Sequence, residues 1–152
     1  MRNVGFQLDL SDCNPQGLNL EGLEFGRAIF SGSCLDGSNL RHSNLNDAVG
    51  GKSSLIGCDL EGATLNEGYF YESNFSFCWA NDVTFEGTML SNVDFSGSNL
   101  AGVTFTDSSL NESQFLGANL YRAGFFGNES HSGEEFRTIL FGRTDLFQAK
   151  FN

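Results

Sequence analysis

Proline is almost missing from this chain, Pro15 being its single copy in 152 residues. That scarcity suits a fold that keeps its backbone N–H groups available for pairing. Histidine is nearly as rare, with only His42 and His131. No Ser/His/Asp or Cys/His arrangement and no zinc site is therefore expected, and the reading is of a protein that is not an enzyme and holds no cofactor. The four cysteines, Cys13, Cys34, Cys58 and Cys78, include no Cys-x-x-Cys pair. No apolar run reaches the roughly 18 residues of a spanning helix, so no membrane segment is expected. The opening Met1-Arg2-Asn3 leads directly to Phe6, Leu8 and Leu10 without a signal-peptide core, which predicts a cytoplasmic protein.

Regularity is what the chain has instead. Blocks of Gly-x-Asn/Asp-Leu recur at Gly17, Gly37, Gly57, Gly97 and Gly117, with Phe77 to Ala80 breaking the series. Within that twenty-residue period runs a five-residue one. Nearly every position numbered by a multiple of five, from Leu20 to Phe125, is Leu or Phe. Two residues before each such centre stands a small or slim side chain, as in Ala28, Ser38, Cys58, Ala63, Val83 and Ala118. Between them lies mostly Asn, Asp or Thr. In extended chain alternate residues share a side, so centre and small residue point inward while the polar one faces water.

A five-residue period fits neither a long strand nor a helix. Short extended pieces joined by corners fit it, and glycine is frequent two residues after a centre, where a tight corner favours it. Nested in a period of twenty, the pattern predicts a solenoid with four faces per turn. Residues i and i+20 then stack about 4.8 Å apart through parallel backbone hydrogen bonds. Asn19, Asn39, Asp59, Asn99 and Asn119 would form an outer ladder. Sixteen Phe against one Trp and three Tyr predict a dry axis filled with rings.

The triplets Ala63-Thr-Leu65, Ser98-Asn-Leu100 and Ala118-Asn-Leu120 resemble the A(D/N)Lxx pattern of the pentapeptide-repeat family. The likeness covers about residues 8 to 126 and resumes at Thr144-Asp-Leu146 and Ala149-Lys-Phe151. It implies an all-β fold, a right-handed quadrilateral parallel β-helix of about seven coils in a single domain over residues 1–152. Family members often dimerise through the C-terminal end, and Phe141, Leu146, Phe147 and Phe151 would supply such an end here.

Several places break the pattern. Gly50-Gly51 leaves an inward centre without a side chain, and Ala80 underfills another. Each gap should cost about 2–5 kcal/mol against Leu unless neighbours close in. Near Ala80, Phe77 and Trp79 either face outward as contacts or shift locally so that a ring tucks inside, and the packed arrangement is the favoured expectation. Cys13, Cys58 and Cys78 take the small inward position. Cys58 and Cys78 share a column, where buried free thiols are expected over a disulfide. After Phe125 the register slips by one residue, predicting a loop near 127–135 and a last coil at 136–152, with a short capping helix over 134–141 as the competitor. Gly51-Lys52-Ser53 ends like a phosphate loop, but Asn46 stands where its first glycine belongs and repeats follow it.

Charge placement carries the functional reading. The net charge is −11, and no Lys or Arg occurs between Ser53 and Tyr121, where Asp59, Glu61, Glu67, Glu72, Asp82, Glu86, Asp94, Asp107 and Glu112 fall. Asp47, Glu67 and Asp107 share one corner column, and Asp12, Glu72 and Glu112 the next. Ile29, Val49, Tyr69 and Met89 occupy an outward column where the repeat wants Asn or Asp, predicting an apolar stripe. Trp79 is a further contact candidate. These features predict a protein–protein interaction module with an acidic rod surface and a protein partner, with no direct nucleic-acid binding. The family resemblance adds a second reading, a DNA mimic that binds DNA gyrase or another basic DNA-binding enzyme. A rod of about 34 Å carries roughly one net charge per 3 Å, about half the density of DNA at one per 1.7 Å. A bacterial effector or structural scaffold is the third class.

Overall fold

The computed structural model describes residues 7–127 and 144–151. The chain winds through successive coils with four short faces, each three residues wide. Every pairing between coils is parallel. One column runs Asn19, Asn39, Asp59, Trp79, Asn99, Asn119 and Asp145, and forms the asparagine face. The next runs from Glu24 through Asn44 and Thr64 to Thr84. There it becomes a regular parallel sheet of β1 (Thr84–Glu86), β2 (Thr104–Thr106), β3 (Gly124–Phe126) and β4 (Lys150–Phe151), in that order. The third column is Asp9, Ile29, Val49, Tyr69, Met89 and Ser109, here called the stripe face. The fourth is Cys34, Ser54, Asn74, Asp94 and Gln114. Chain order puts the stripe face opposite the asparagine face.

Corners follow from backbone chemistry. The carbonyl of a centre accepts from the N–H three residues later, as in Ala28 to Phe25 at 2.9 Å and Ser43 to Leu40 at 3.1 Å. The residue two past the centre then takes positive φ. Gly32 does so at 68°, but Asp47 (58°), Glu67 (58°), Asp107 (51°) and Glu112 (60°) do so as well. A non-glycine residue there costs roughly 1 kcal/mol or more, so much of the acidic surface sits on strained corners. Room for these side chains comes from the coil above. The Glu67 carboxylate lies where a Cβ on Gly87 would stand, and Asp107 does the same over Gly127.

The axis is dry and ring-filled as the composition predicts. Phe85, Phe105, Phe125 and Phe151 stack with centroids 5.1, 5.0 and 4.8 Å apart. Phe75, Phe95 and Phe115 form a second ladder at 5.3 and 5.1 Å, meeting the first edge-on. Small inward hydroxyls replace part of the backbone pairing. Ser98 Oγ donates to the Phe75 carbonyl at 2.6 Å, Ser108 Oγ to Phe85 at 2.8 Å and Ser113 Oγ to Leu90 at 2.8 Å, each one coil below. That explains how serine fits a position buried from water.

Gly50 does not leave a hole. The Phe70 ring, one coil later, lies 2.5 Å from where a Gly50 Cβ would stand, so a neighbour has closed in. Ala80 is likewise sealed at 1% exposure, with Phe75 and Phe85 on either side meeting edge-on at 6.5 Å. The favoured tucking of an aromatic ring beside Ala80 is overturned, because Phe77 is 64% and Trp79 59% exposed. The backbone does not shift there. Trp79 N–H still donates to the Cys58 carbonyl at 2.9 Å and Asn99 N–H to Cys78 at 2.8 Å, which holds position 79 outward.

The C-terminal coil keeps the register expected from the sequence. Asp145 pairs with Asn119 and Phe151 with Phe125, a spacing of twenty-six residues, which is a slip of one on the five-residue period. The resumed repeat over 144–151 is present. The predicted loop from 128 onward, the competing helix over 134–141 and Phe141 lie outside the described residues.

Candidate functional site: a striped face between acidic corners

Ile29, Val49, Tyr69 and Met89 stand in vertical register. Val49 N–H donates to the Ala28 carbonyl at 2.9 Å, Tyr69 N–H to Ala48 at 2.8 Å and Met89 N–H to Gly68 at 2.9 Å. Their side chains emerge from a face whose backbone groups are already engaged. Ile29 and Val49 are half-buried, whereas Tyr69 and Met89 are 47% and 44% exposed. Asp9 and Ser109 end the stripe. Tyr71 extends it sideways, its ring lying over Gly51 about where a Cβ there would stand. Tyr71 was missed in the sequence. Its signal was a glycine twenty residues earlier, which leaves space for a ring to lie flat.

Both corners beside this face carry the acids singled out by charge placement. Asp47, Glu67 and Asp107 line one, and Asp12, Glu72 and Glu112 the other. Part of this charge is matched. Arg27 lies 4.0 Å from Asp47 and Lys52 lies 3.6 Å from Glu72, both exposed pairs worth at most about 1 kcal/mol. Among the described residues no ion pair reaches Glu67, Asp107 or Glu112. The upper half of the striped face is thus the more negative.

Trp79 does not join this group. It stands on the opposite, asparagine face, interrupting a ladder in which Asn39 Nδ2 donates to Asn19 Oδ1 at 3.0 Å and Asn119 Nδ2 to Asn99 Oδ1 at 2.9 Å. Phe77 lies on the adjoining corner with its ring over Gly97. At the C-terminal end Leu146, Phe147 and Phe151 are 38%, 63% and 52% exposed, and Phe147 stacks on Tyr121 at 5.9 Å.

No catalytic constellation forms among the described residues. His42 sits on a corner at positive φ with its ring over Gly62. Among the described residues no group of His, Cys, Asp and Glu could hold a metal, and no helix is long and apolar enough to cross a membrane. A shallow cavity of about 640 Å³ near the C-terminal end is lined by Arg122, Gln148 and Lys150 among others.

All four cysteines are free. Cys13, expected inward, is exposed, because it lies in the first coils, where Leu10 and Leu20 are only partly buried. Cys58 and Cys78 are buried, their Sγ atoms donating to the Leu35 and Leu55 carbonyls at 3.1 and 2.9 Å. Burial pushes the Cys58 thiol up to about 12 and holds Cys78 well above its ordinary range. The thiolate is the reactive form. A disulfide reagent at pH 8 should therefore modify Cys13 and, more slowly, half-buried Cys34, leaving the other two until denaturant is added. Four fast thiols in the folded protein would contradict this packing. Above about pH 8.5 an unfolded cysteine ionises while these two keep their protons, so stability should fall as pH rises toward 12.

Comparison with known proteins agrees with the coil geometry. The description "Pentapeptide repeats" matches in eight copies over residues 9–47, 69–107 and 90–125. No curated protein matches the sequence. A pentapeptide repeat protein (Rfr23) from the cyanobacterium Cyanothece 51142 is similar in structure, with TM-score 0.62, 17% identity, and 95% of this chain and 91% of that one covered. QnrB1, a plasmid-mediated fluoroquinolone resistance protein, is similar at TM-score 0.53 and 17% identity, covering 96% and 90%. A pentapeptide repeat protein of the Arabidopsis thaliana thylakoid lumen shows 29% identity at TM-score 0.41, covering 63% and 70%. The likenesses to Rfr23 and QnrB1 show the fold, a right-handed quadrilateral β-helix. With its repeats, stacked columns and matched residues in agreement, the chain belongs to the pentapeptide repeat family.

Proposed function

We propose that this protein is a non-enzymatic interaction module whose protein partner docks on the striped face. The observation that carries the reading is the vertical alignment of Ile29, Val49, Tyr69 and Met89 between two acidic corners. Scattered surface apolar residues need no explanation, whereas a contiguous column of them does. Along this face the axis is filled by buried Leu and Phe side chains among the described residues, which supports binding on the outside of the rod. Tyr69→Asp should leave folding within about 0.5 kcal/mol of the parent, since the side chain points to solvent. The same change should abolish retention of the native partner on an affinity column. Undiminished retention would remove the striped face from consideration.

DNA mimicry is the second reading. The run from Ser53 to Tyr121 without a cation supports it, as does a fold shared with a fluoroquinolone resistance protein. The charge density, about half that of duplex DNA, weighs against it. Supercoiling by DNA gyrase with and without the protein separates the two readings, because a mimic should inhibit or protect the enzyme and a striped-face module should do neither.

A further inference from the structure

We propose that the partner element seated on the striped face is a basic amphipathic α-helix lying along the solenoid axis. This rests on the striped face being the docking surface and adds what kind of chain it takes.

Three observations select the helix. The first is spacing. Stripe residues climb by one coil each, about 4.8 Å, so Ile29 to Met89 spans about 14 Å. A helix presents one apolar ridge residue per turn of about 5.4 Å, so four ridge residues, with three turns between first and last, span about 16 Å. An extended strand along the same axis repeats its face every 6.6–6.8 Å or so and would run about 20 Å. The helix falls nearly in step, and the long, adaptable Met89 and exposed Tyr69 lie where the small mismatch accumulates. The second is the backbone. Tyr69 N–H is bonded to the coil below and its carbonyl accepts from Gly50 N–H at 2.8 Å. No free ladder remains for a partner strand to extend. The third is charge. Acids flank the stripe on both sides, which matches an apolar ridge bordered by Lys and Arg on both flanks. Glu67 stands on the corner beside Tyr69 and Glu112 on a corner one coil beyond Met89, neither with an ion pair among the described residues. The same acids repel a nucleic-acid backbone.

The test uses the intact protein and three labelled peptides of about 18 residues, followed by fluorescence anisotropy. One places leucines at i, i+4, i+7 and i+11 among lysines and arginines. One has the same composition with its leucines distributed around the helix. One carries two central prolines in the patterned sequence. The patterned peptide should bind at least about tenfold more tightly than either control. Tyr69→Asp should remove that advantage. Glu67→Gln with Glu112→Gln should weaken binding and flatten its salt dependence, because exposed charge attraction is screened. Equal binding of patterned and scrambled peptides overturns the helix inference. If Tyr69→Asp nevertheless releases the native partner, the docking surface stands without it, and if that substitution affects neither readout, both fall. Sedimentation showing self-association that Tyr69→Asp abolishes makes the occupant a second copy and also overturns the inference.

Discussion

Phe105→Ala is expected to lower the free energy of unfolding by about 3–5 kcal/mol. Phe105 is fully buried and sits where both ring ladders meet. Its ring stacks between Phe85 at 5.1 Å and Phe125 at 5.0 Å, and meets Phe95 and Phe115 edge-on at 5.8 Å each. Alanine there would remove these ring contacts and leave a void that stacked coils, pinned by their hydrogen bonds, cannot collapse to fill. In a solenoid each coil leans on its neighbours, so the loss should loosen the coils on either side first. Urea denaturation followed by far-UV circular dichroism measures it. Phe25→Ala is the comparison, since Phe25 lies near the N-terminal end, retains 7% exposure and meets Phe30 edge-on at 5.4 Å. A loss at Phe105 no larger than at Phe25 would show that the ladder does not act as a continuous column.

Gly50→Leu should also destabilise, although the repeat asks for leucine at that position. Sequence spacing reads Gly50 as a gap unless neighbours close in. The ring of Phe70 already occupies that volume, with two carbons 2.5 Å from the point where a Cβ would stand. Overfilling a close-packed core costs about 1–3 kcal/mol, and a whole isobutyl group against an aromatic ring falls at the upper end. Phe70→Leu placed in the same chain should recover part of the loss, because it vacates the contested space. The pair should then show favourable coupling in a double-mutant cycle. A Gly50→Leu variant with a raised melting temperature would mean that the volume beneath Phe70 is empty.

These two positions show where periodicity is sufficient and where it is not. Phe105 was assigned to the axis by its number alone, because its neighbours at i ± 5 and i ± 20 obey the same rule. At Gly50 the period left two outcomes open, a gap or closure by a neighbour, because the rule treats each centre separately, while a ring as long as that of Phe70 reaches into the next coil. The same limitation affected Trp79. An underfilled Ala80 suggested an inward ring, yet pairing of Trp79 to both neighbouring coils holds it outward. Tyr71 escaped notice since nothing in its own pentapeptide differs from a polar corner.

The sequence alone determined the four-faced coil, the identity of the axis, the alignment of the stripe and the absence of cations from the body of the rod. It could do so because in a solenoid each residue's surroundings repeat at a fixed interval, so spacing is already geometry. Tertiary structure decided which side chains lean across coils, that Trp79 and the stripe occupy opposite faces, that Arg27 and Lys52 match part of the corner charge, and that Phe151 stacks on Phe125 across a twenty-six-residue gap. Those outcomes depend on side-chain reach and on the length of an insertion, neither of which a repeat period encodes.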